Sequence, residues 1–125
     1  MKKSVMKKWV TALRSGKYKQ GQDRLRSDVS HFCCLGVLCD IIAKDEWKTP
    51  SAGTANAWGN DYNIYKEVHG LPKKIQILTG VRSSSGKNLK TGRELVYFND
   101  GTITVKKSKS FKWIANYIER NWKNL

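Results

Sequence analysis

Acidic residues are scarce in this chain: 10 Asp and Glu stand against 24 Lys and Arg, a formal net charge of +14. Such a field attracts anions, whether nucleic acid, nucleotides or an acidic surface. Histidine is nearly absent, with two copies, and the three cysteines are Cys33, Cys34 and Cys39. No CxxC pair occurs, so a metal site would have to recruit His31 or His69. An odd, clustered set of thiols is not a disulfide framework. Nothing places an activating base beside a cysteine. Catalysis needs a positioned base or a metal, and with no HxH pair and scattered carboxylates the chain reads as a binder without a cofactor, not an enzyme. Long apolar runs are missing too. The most apolar stretch, FCCLGVLCDII at Phe32 to Ile42, is far shorter than the roughly 20 residues of a membrane span. Met1-Lys2-Lys3 is basic, but Lys7 and Lys8 break Val5 to Leu13, so no signal-peptide core follows. A cytoplasmic protein without membrane contact is expected. A GxxxxGK[ST] loop is absent, and no helix-turn-helix, zinc finger or RNP motif is evident.

What is present is enough for one domain, residues 1–125, with a core. Leu35, Leu38, Cys39 and Ile42 recur at i, i+3, i+4 and i+7. Cys34, Val37 and Ile41 repeat the spacing on a neighbouring face, and a helix apolar on both faces is surrounded by protein. The spacing predicts a central helix over 32–44, capped by Asp28 or Ser30. Gly36 weakens it by roughly 1 kcal/mol relative to Ala, which fits a close approach by another backbone. Asp40, beside apolar faces, is expected to pair with a buried Arg or cap a neighbouring helix.

Met6, Trp9, Val10 and Leu13 mark a first helix that Gly16 ends, with Lys7, Lys8 and Arg14 on or near its exposed face. Leu71, Ile75 and Leu78 mark a short helix over 71–79, with Pro72 in its first turn and Gly80 as its stop. Phe111, Ile114, Ala115, Ile118 and Trp122 hold helical register behind Ser108 or Ser110, and Trp113 and Tyr117 form a second stripe. That stripe suits a second partner, such as another subunit. Residues 63–68 alternate as a short strand would. Residues 94–98 fit a helical turn or a strand, and the turn signal Asn99-Asp100-Gly101 leaves room for a small β-hairpin near 95–105. The fold class is mainly α, with α+β open: about four helices around the central one.

Three loops carry the candidate site. Gly16 to Ser30 is a long, polar surface loop that joins Lys17, Lys19, Arg24 and Arg26 to Tyr18, Gln20 and Gln22. Those groups bind phosphates and base edges, although Tyr18 and Leu25 also suit pinning the loop to the core. Trp47 to Gly59 has turn composition, and Trp58 and Tyr62 could stack on bases. Val81 to Gly92 is a Ser-Gly loop with Arg82, Lys87 and Lys90. The candidates are therefore Tyr18, Gln20, Arg24, Arg26, Trp58, Tyr62 and Lys87.

Several of these residues also carry a family likeness. Trp9, Ala12-Leu13-Arg14-Ser15-Gly16, Tyr18, Gln20 and Leu25 lead to the block Phe32-Cys33-Cys34-Leu35-Gly36-Val37-Leu38-Cys39-Asp40. Leu71-Pro72, Phe98-Asn99-Asp100, Ser110-Phe111, Ile114-Ala115 and Ile118-Glu119 follow. In this order the chain resembles a widespread group of small bacteriophage proteins. It is also similar in size and charge to the phage anti-CBASS sponges that sequester cyclic dinucleotides. The segment 101–109 is longer and more β-like than in the phage group. The resemblance implies a sponge in the cytoplasm of a bacterial host, holding a cyclic dinucleotide or related signal without cleaving it, in a site enclosed between subunits of a homo-oligomer. It assigns no individual residue. The alternative is a basic phage nucleic-acid-binding or host-takeover protein.

Overall fold

A computed structural model describes residues 1–49, 61–102 and 107–125. In chain order it contains α1 (Lys3–Arg14), β1 (Lys19–Gln20), β2 (His31–Phe32), α2 (Cys34–Ala43), β3 (Trp47–Lys48), β4 (Asn63–Ile64), α3 (Lys73–Thr79), α4 (Leu95–Asp100) and α5 (Phe111–Asn121). Short 3₁₀ turns follow α2 and α5. The fold is mainly α with a small β part: β1 pairs with β2 in parallel, and β3 with β4 antiparallel. Five α-helices stand among the described residues, α2 and four others, as expected. Among those residues no helix is long and apolar enough to cross a membrane.

α2 lies at the centre, with every residue from Cys34 to Asp40 buried. Its cap corrects the sequence reading. Cys33 occupies the N-cap, and its Sγ accepts from the Gly36 amide at 3.3 Å. Asp28 instead shapes the turn before β2. Its carboxylate accepts from the Ser30 and His31 amides at 2.8 and 2.9 Å, which with the His31 ring holds it well below the usual carboxylate range. The expected close approach at Gly36 is present: a Cβ built there would lie 1.7 Å from the Leu25 carbonyl oxygen. The loop 16–30 is thus not wholly superficial. Leu25 is fully buried, and its amide donates to the Val68 carbonyl at 2.7 Å.

α1 and α5 cover α2. Val5, Met6, Trp9, Val10 and Leu13 form the buried stripe of α1, and Phe111, Ile114, Ala115 and Ile118 that of α5. The Trp9 indole N–H donates to the Cys34 carbonyl at 2.9 Å, joining α1 to the first turn of α2. α1 packs more extensively on α5 than on any other element. At their outer edge Arg14 meets Glu119 at 3.1 Å and Asn116 at 2.7 Å; such an exposed pair is worth at most about 1 kcal/mol. Ser110 caps α5, its hydroxyl accepting from the Trp113 amide.

Three further expectations are adjusted. Pro72 is the N-cap of α3 and lies just before its first turn, while Gly80 ends the helix at φ 78° as expected. Leu95–Asp100 is the helix α4, so it supplies no hairpin strand; residues 103–106 of the proposed partner strand lie outside the described residues. The segment 63–68 is extended only at Asn63–Ile64, because Tyr65 and Lys66 turn the chain at φ 49° and 68°.

Two buried asparagines hold the loops onto this frame. Asn99 Oδ1 accepts from the Cys34 amide and from Gln20 Nε2, both at 3.0 Å, and Asn99 Nδ2 donates to the Gly21 carbonyl at 2.8 Å. Asn88 organises the Val81 to Gly92 loop: its Oδ1 accepts from the Lys90 amide at 2.9 Å, and its Nδ2 donates to Tyr117 Oη at 3.0 Å.

Candidate functional site

Tyr18 follows the turn that ends α1, just ahead of β1. Its hydroxyl donates to Asp40 at 2.7 Å, and the Trp47 indole donates to the other Asp40 oxygen at 3.0 Å. Asp40 is therefore held by two neutral donors, which corrects the expectation of a buried Arg or a helix cap. Burial and then the Asp40 bond push the Tyr18 phenol above its ordinary range.

The Tyr18 ring meets Phe32 edge-on at 5.1 Å, and Phe32 meets Trp47 at 6.0 Å. Arg26 closes this cluster. Its guanidinium lies 4.8 Å from the Phe32 ring centre, 5.5 Å from that of Trp47 and 4.6 Å from that of Tyr62. It also donates to the Asp28 and Val29 carbonyls, each at 3.0 Å. A cation–π contact at a partly exposed site is worth about 0.5–1 kcal/mol, and three ring contacts with two hydrogen bonds together hold Arg26 in place. Arg24 pairs with Asp61 at 2.8 Å, next to Tyr62.

The structure thus brings Tyr18, Arg26 and Tyr62 into one cluster, with Arg24 beside it. Gln20 is placed differently: its amide nitrogen donates to Asn99 Oδ1 and to the Lys109 carbonyl at 2.7 Å. That nitrogen supports the fold, which removes it as a reader of base edges. Lys87 is exposed on the Val81 to Gly92 loop, where its backbone forms an isolated β-bridge with Glu94. Trp58 lies outside the described residues.

A groove of about 460 Å³ opens on the side of Tyr18 that faces α1. Its walls are Lys7, Lys8, Thr11, Ala12 and Ser15 of α1 and the turn after it, Lys17, Tyr18, and Ile41 of α2. Three ammonium groups line it and no carboxylate does. Ala12, Ile41 and the Tyr18 ring give it an apolar floor. A second cleft of about 510 Å³ carries Glu67 and Glu94 as well as Lys73, a mixture that suits an anion less well. The first groove is therefore the candidate site. Lys7 and Lys8 escaped the sequence reading as site residues because they look like a solvated helix face. The available signal was the stripe Lys8, Thr11, Ala12 and Ser15, at i, i+3, i+4 and i+7 beside the core stripe.

None of the three cysteines lines the groove. Cys33, Cys34 and Cys39 are buried, and burial pushes the Cys33 thiol up to about 12 and the other two well above the ordinary range. At pH 8 the folded protein should show almost no reaction with a thiol-specific disulfide reagent, and all three thiols should react in denaturant. Rapid reaction of one thiol in the folded state would contradict this burial.

Among the described residues no three His, Cys, Asp or Glu side chains come together as a metal site would require. No curated protein and no solved structure matches the chain. Residues 1–122 match the family described as a Domain of unknown function (DUF8296), and the chain belongs to that family.

Proposed function

We propose that this protein captures a phosphate-bearing nucleotide signal, of the cyclic dinucleotide class or related to it, and holds it without cleavage. The setting is a phage protein acting in the cytoplasm of its bacterial host, where withdrawing the signal would blunt antiphage defence. The observation that carries the reading is the groove: three lysines around an apolar, aromatic floor. Its volume falls within the roughly 300–1,000 Å³ common to small-molecule sites. Lys7, Lys8 and Lys17 would pair with phosphates by charge-assisted hydrogen bonds. The Tyr18 ring, fixed by Asp40, would lie against a base. Arg26 would act by bracing the Tyr18–Phe32–Trp47 cluster, since its donors already face carbonyls. A second copy closing over the groove would give the enclosure that tight capture needs.

The test is capture and release. The protein is incubated with cyclic dinucleotides, cyclic trinucleotides and ADP-ribose derivatives, filtered and heat-denatured. An intact nucleotide at protein stoichiometry is expected. Replacing Lys7, Lys8 and Lys17 together by Ala should weaken binding about 100-fold or more, since each charge-assisted hydrogen bond contributes roughly 1.5–3 kcal/mol. A shortened nucleotide would mean an enzyme, and an empty filter across the panel would overturn the reading.

A nucleic-acid-binding or host-takeover role is the second reading, favoured by exposed cations outside the groove such as Lys2, Lys3 and Lys19. Salt separates the two. A duplex binder touching 6–10 phosphates loses roughly 10³–10⁵ in affinity between 50 and 200 mM salt, far more than a pocket holding two phosphates.

A further inference from the structure

The second stripe of α5 is not part of the groove. Trp113 and Tyr117 stack with ring centres 5.7 Å apart and planes at 13°. Phe98 of α4 supports both from within, 4.9 Å from each. Trp113 nevertheless keeps 37% of its surface exposed. Lys109 precedes the pair, with its ammonium 5.2 Å from the Trp113 ring centre. Arg120 follows it, lining with Trp113, Asn116, Tyr117 and Asn121 a cleft of about 210 Å³. The only carboxylate on α5, Glu119, is held by Arg14 on the α1 side.

The result is a row: cation, ring, ring, cation, at positions 109, 113, 117 and 120. From Trp113 to Arg120 it runs about 10 Å along α5, and Lys109 extends it beyond the Ser110 cap. A compact ligand does not need such length. A second copy of this chain would bring like charge to like charge. An acidic peptide would match the cations but leave the stacked rings without a flat partner. A strand of unpaired bases matches both, because every base has a face to stack and a phosphate on each side.

We infer that the Lys109–Trp113–Tyr117–Arg120 row docks single-stranded nucleic acid, an exposed base lying on Trp113 and the flanking phosphates on Lys109 and Arg120. The docking is sequence-tolerant, since the row offers ring faces and point charges, not a base-edge pattern. It is independent of nucleotide capture in the groove.

The test is fluorescence anisotropy with a labelled oligothymidylate of about eight nucleotides, at about 50 and 200 mM salt. Wild type should bind, and Trp113→Ala should weaken binding on the order of ten- to a hundred-fold. Trp113→Phe should restore most of the affinity. Lys109→Ala with Arg120→Ala, both away from the core, should weaken binding and lower the salt slope by about two phosphates. Replacing Lys7, Lys8 and Lys17 should cost less than Trp113→Ala. Circular dichroism checks folding, and if Trp113→Ala is unfolded the Lys109/Arg120 pair decides. The inference is overturned if that pair binds like wild type, if folded Trp113→Ala does so, or if polyglutamate displaces the oligonucleotide as well as unlabelled oligothymidylate of equal charge.

Discussion

Gly36→Ala should destabilise this protein by about 3 kcal/mol or more, although helix propensity alone predicts the opposite. In an exposed helix interior, replacing Gly by Ala gains about 1 kcal/mol. Here the new methyl would lie 1.7 Å from the Leu25 carbonyl oxygen and 2.6 Å from its carbon. Both are backbone atoms and cannot rotate away. Either α2 or the segment at Leu25 must move. The Leu25 carbonyl accepts from the Cys33 amide at 3.1 Å, and the Leu25 amide donates to Val68. Shifting Leu25 strains both bonds and unseats a fully buried side chain. Overpacking a core costs roughly 1–3 kcal/mol before such losses are added. Urea unfolding of the two proteins measures the difference, and a higher midpoint for the variant would show that the contact gives way easily.

Asn99→Leu should cost a similar amount, about 3–5 kcal/mol, for a different reason. The Cys34 amide lies in the first turn of α2 and has no acceptor within the helix. Asn99 Oδ1 supplies that acceptor, and Asn99 Nδ2 satisfies the Gly21 carbonyl. Each buried group left without a partner costs about 1–3 kcal/mol. Gln20 loses one of two acceptors and keeps Lys109. Asn99→Asp is the sharper probe. It retains the acceptor for Cys34 but turns away from Gly21 and sets a carboxylate where Asn99 Nδ2 now donates to Asp100 at 2.8 Å. Two like charges there favour a shared proton. The Asn99→Asp defect should therefore shrink as pH falls and grow as it rises. A defect independent of pH would show that repulsion from Asp100 is not its source.

These two residues show what the sequence made legible. α1, α2 and α5 could be read because each holds an apolar stripe at helical spacing for more than two turns. The need for a small residue at 36 was also readable, since a glycine amid Leu, Val and Cys has few other uses. Asn99 was not, because Asn-Asp-Gly reads as an exposed turn whichever way the side chain points. β1 and β2 are two residues each, too short for any period to show. Leu25 was readable as a residue that pins its loop to the core, and it is fully buried; its backbone contact with Gly36 was not, because nothing local marks which segment approaches the glycine. The site was partly legible for the same reason. Tyr18, Arg26 and Tyr62 stood out as aromatic and basic residues in loops, and they do meet. Lys7 and Lys8 did not stand out, because the groove they line exists only where Tyr18 and Ile41 come to rest beside α1.

The pairing of the first helix with the last also bears on biogenesis. α2 is wrapped by α1, but α1 finds its main partner in α5, and the amide at the head of α2 finds its acceptor 65 residues later. A ribosome adding roughly 5–20 residues per second would release the Phe32 to Ile42 stretch several seconds before that partner emerges. Throughout that interval the most apolar segment of the chain is a surface. The yield of folded protein on expression should therefore depend on how long this stretch stays exposed, more than on the stability of the finished fold.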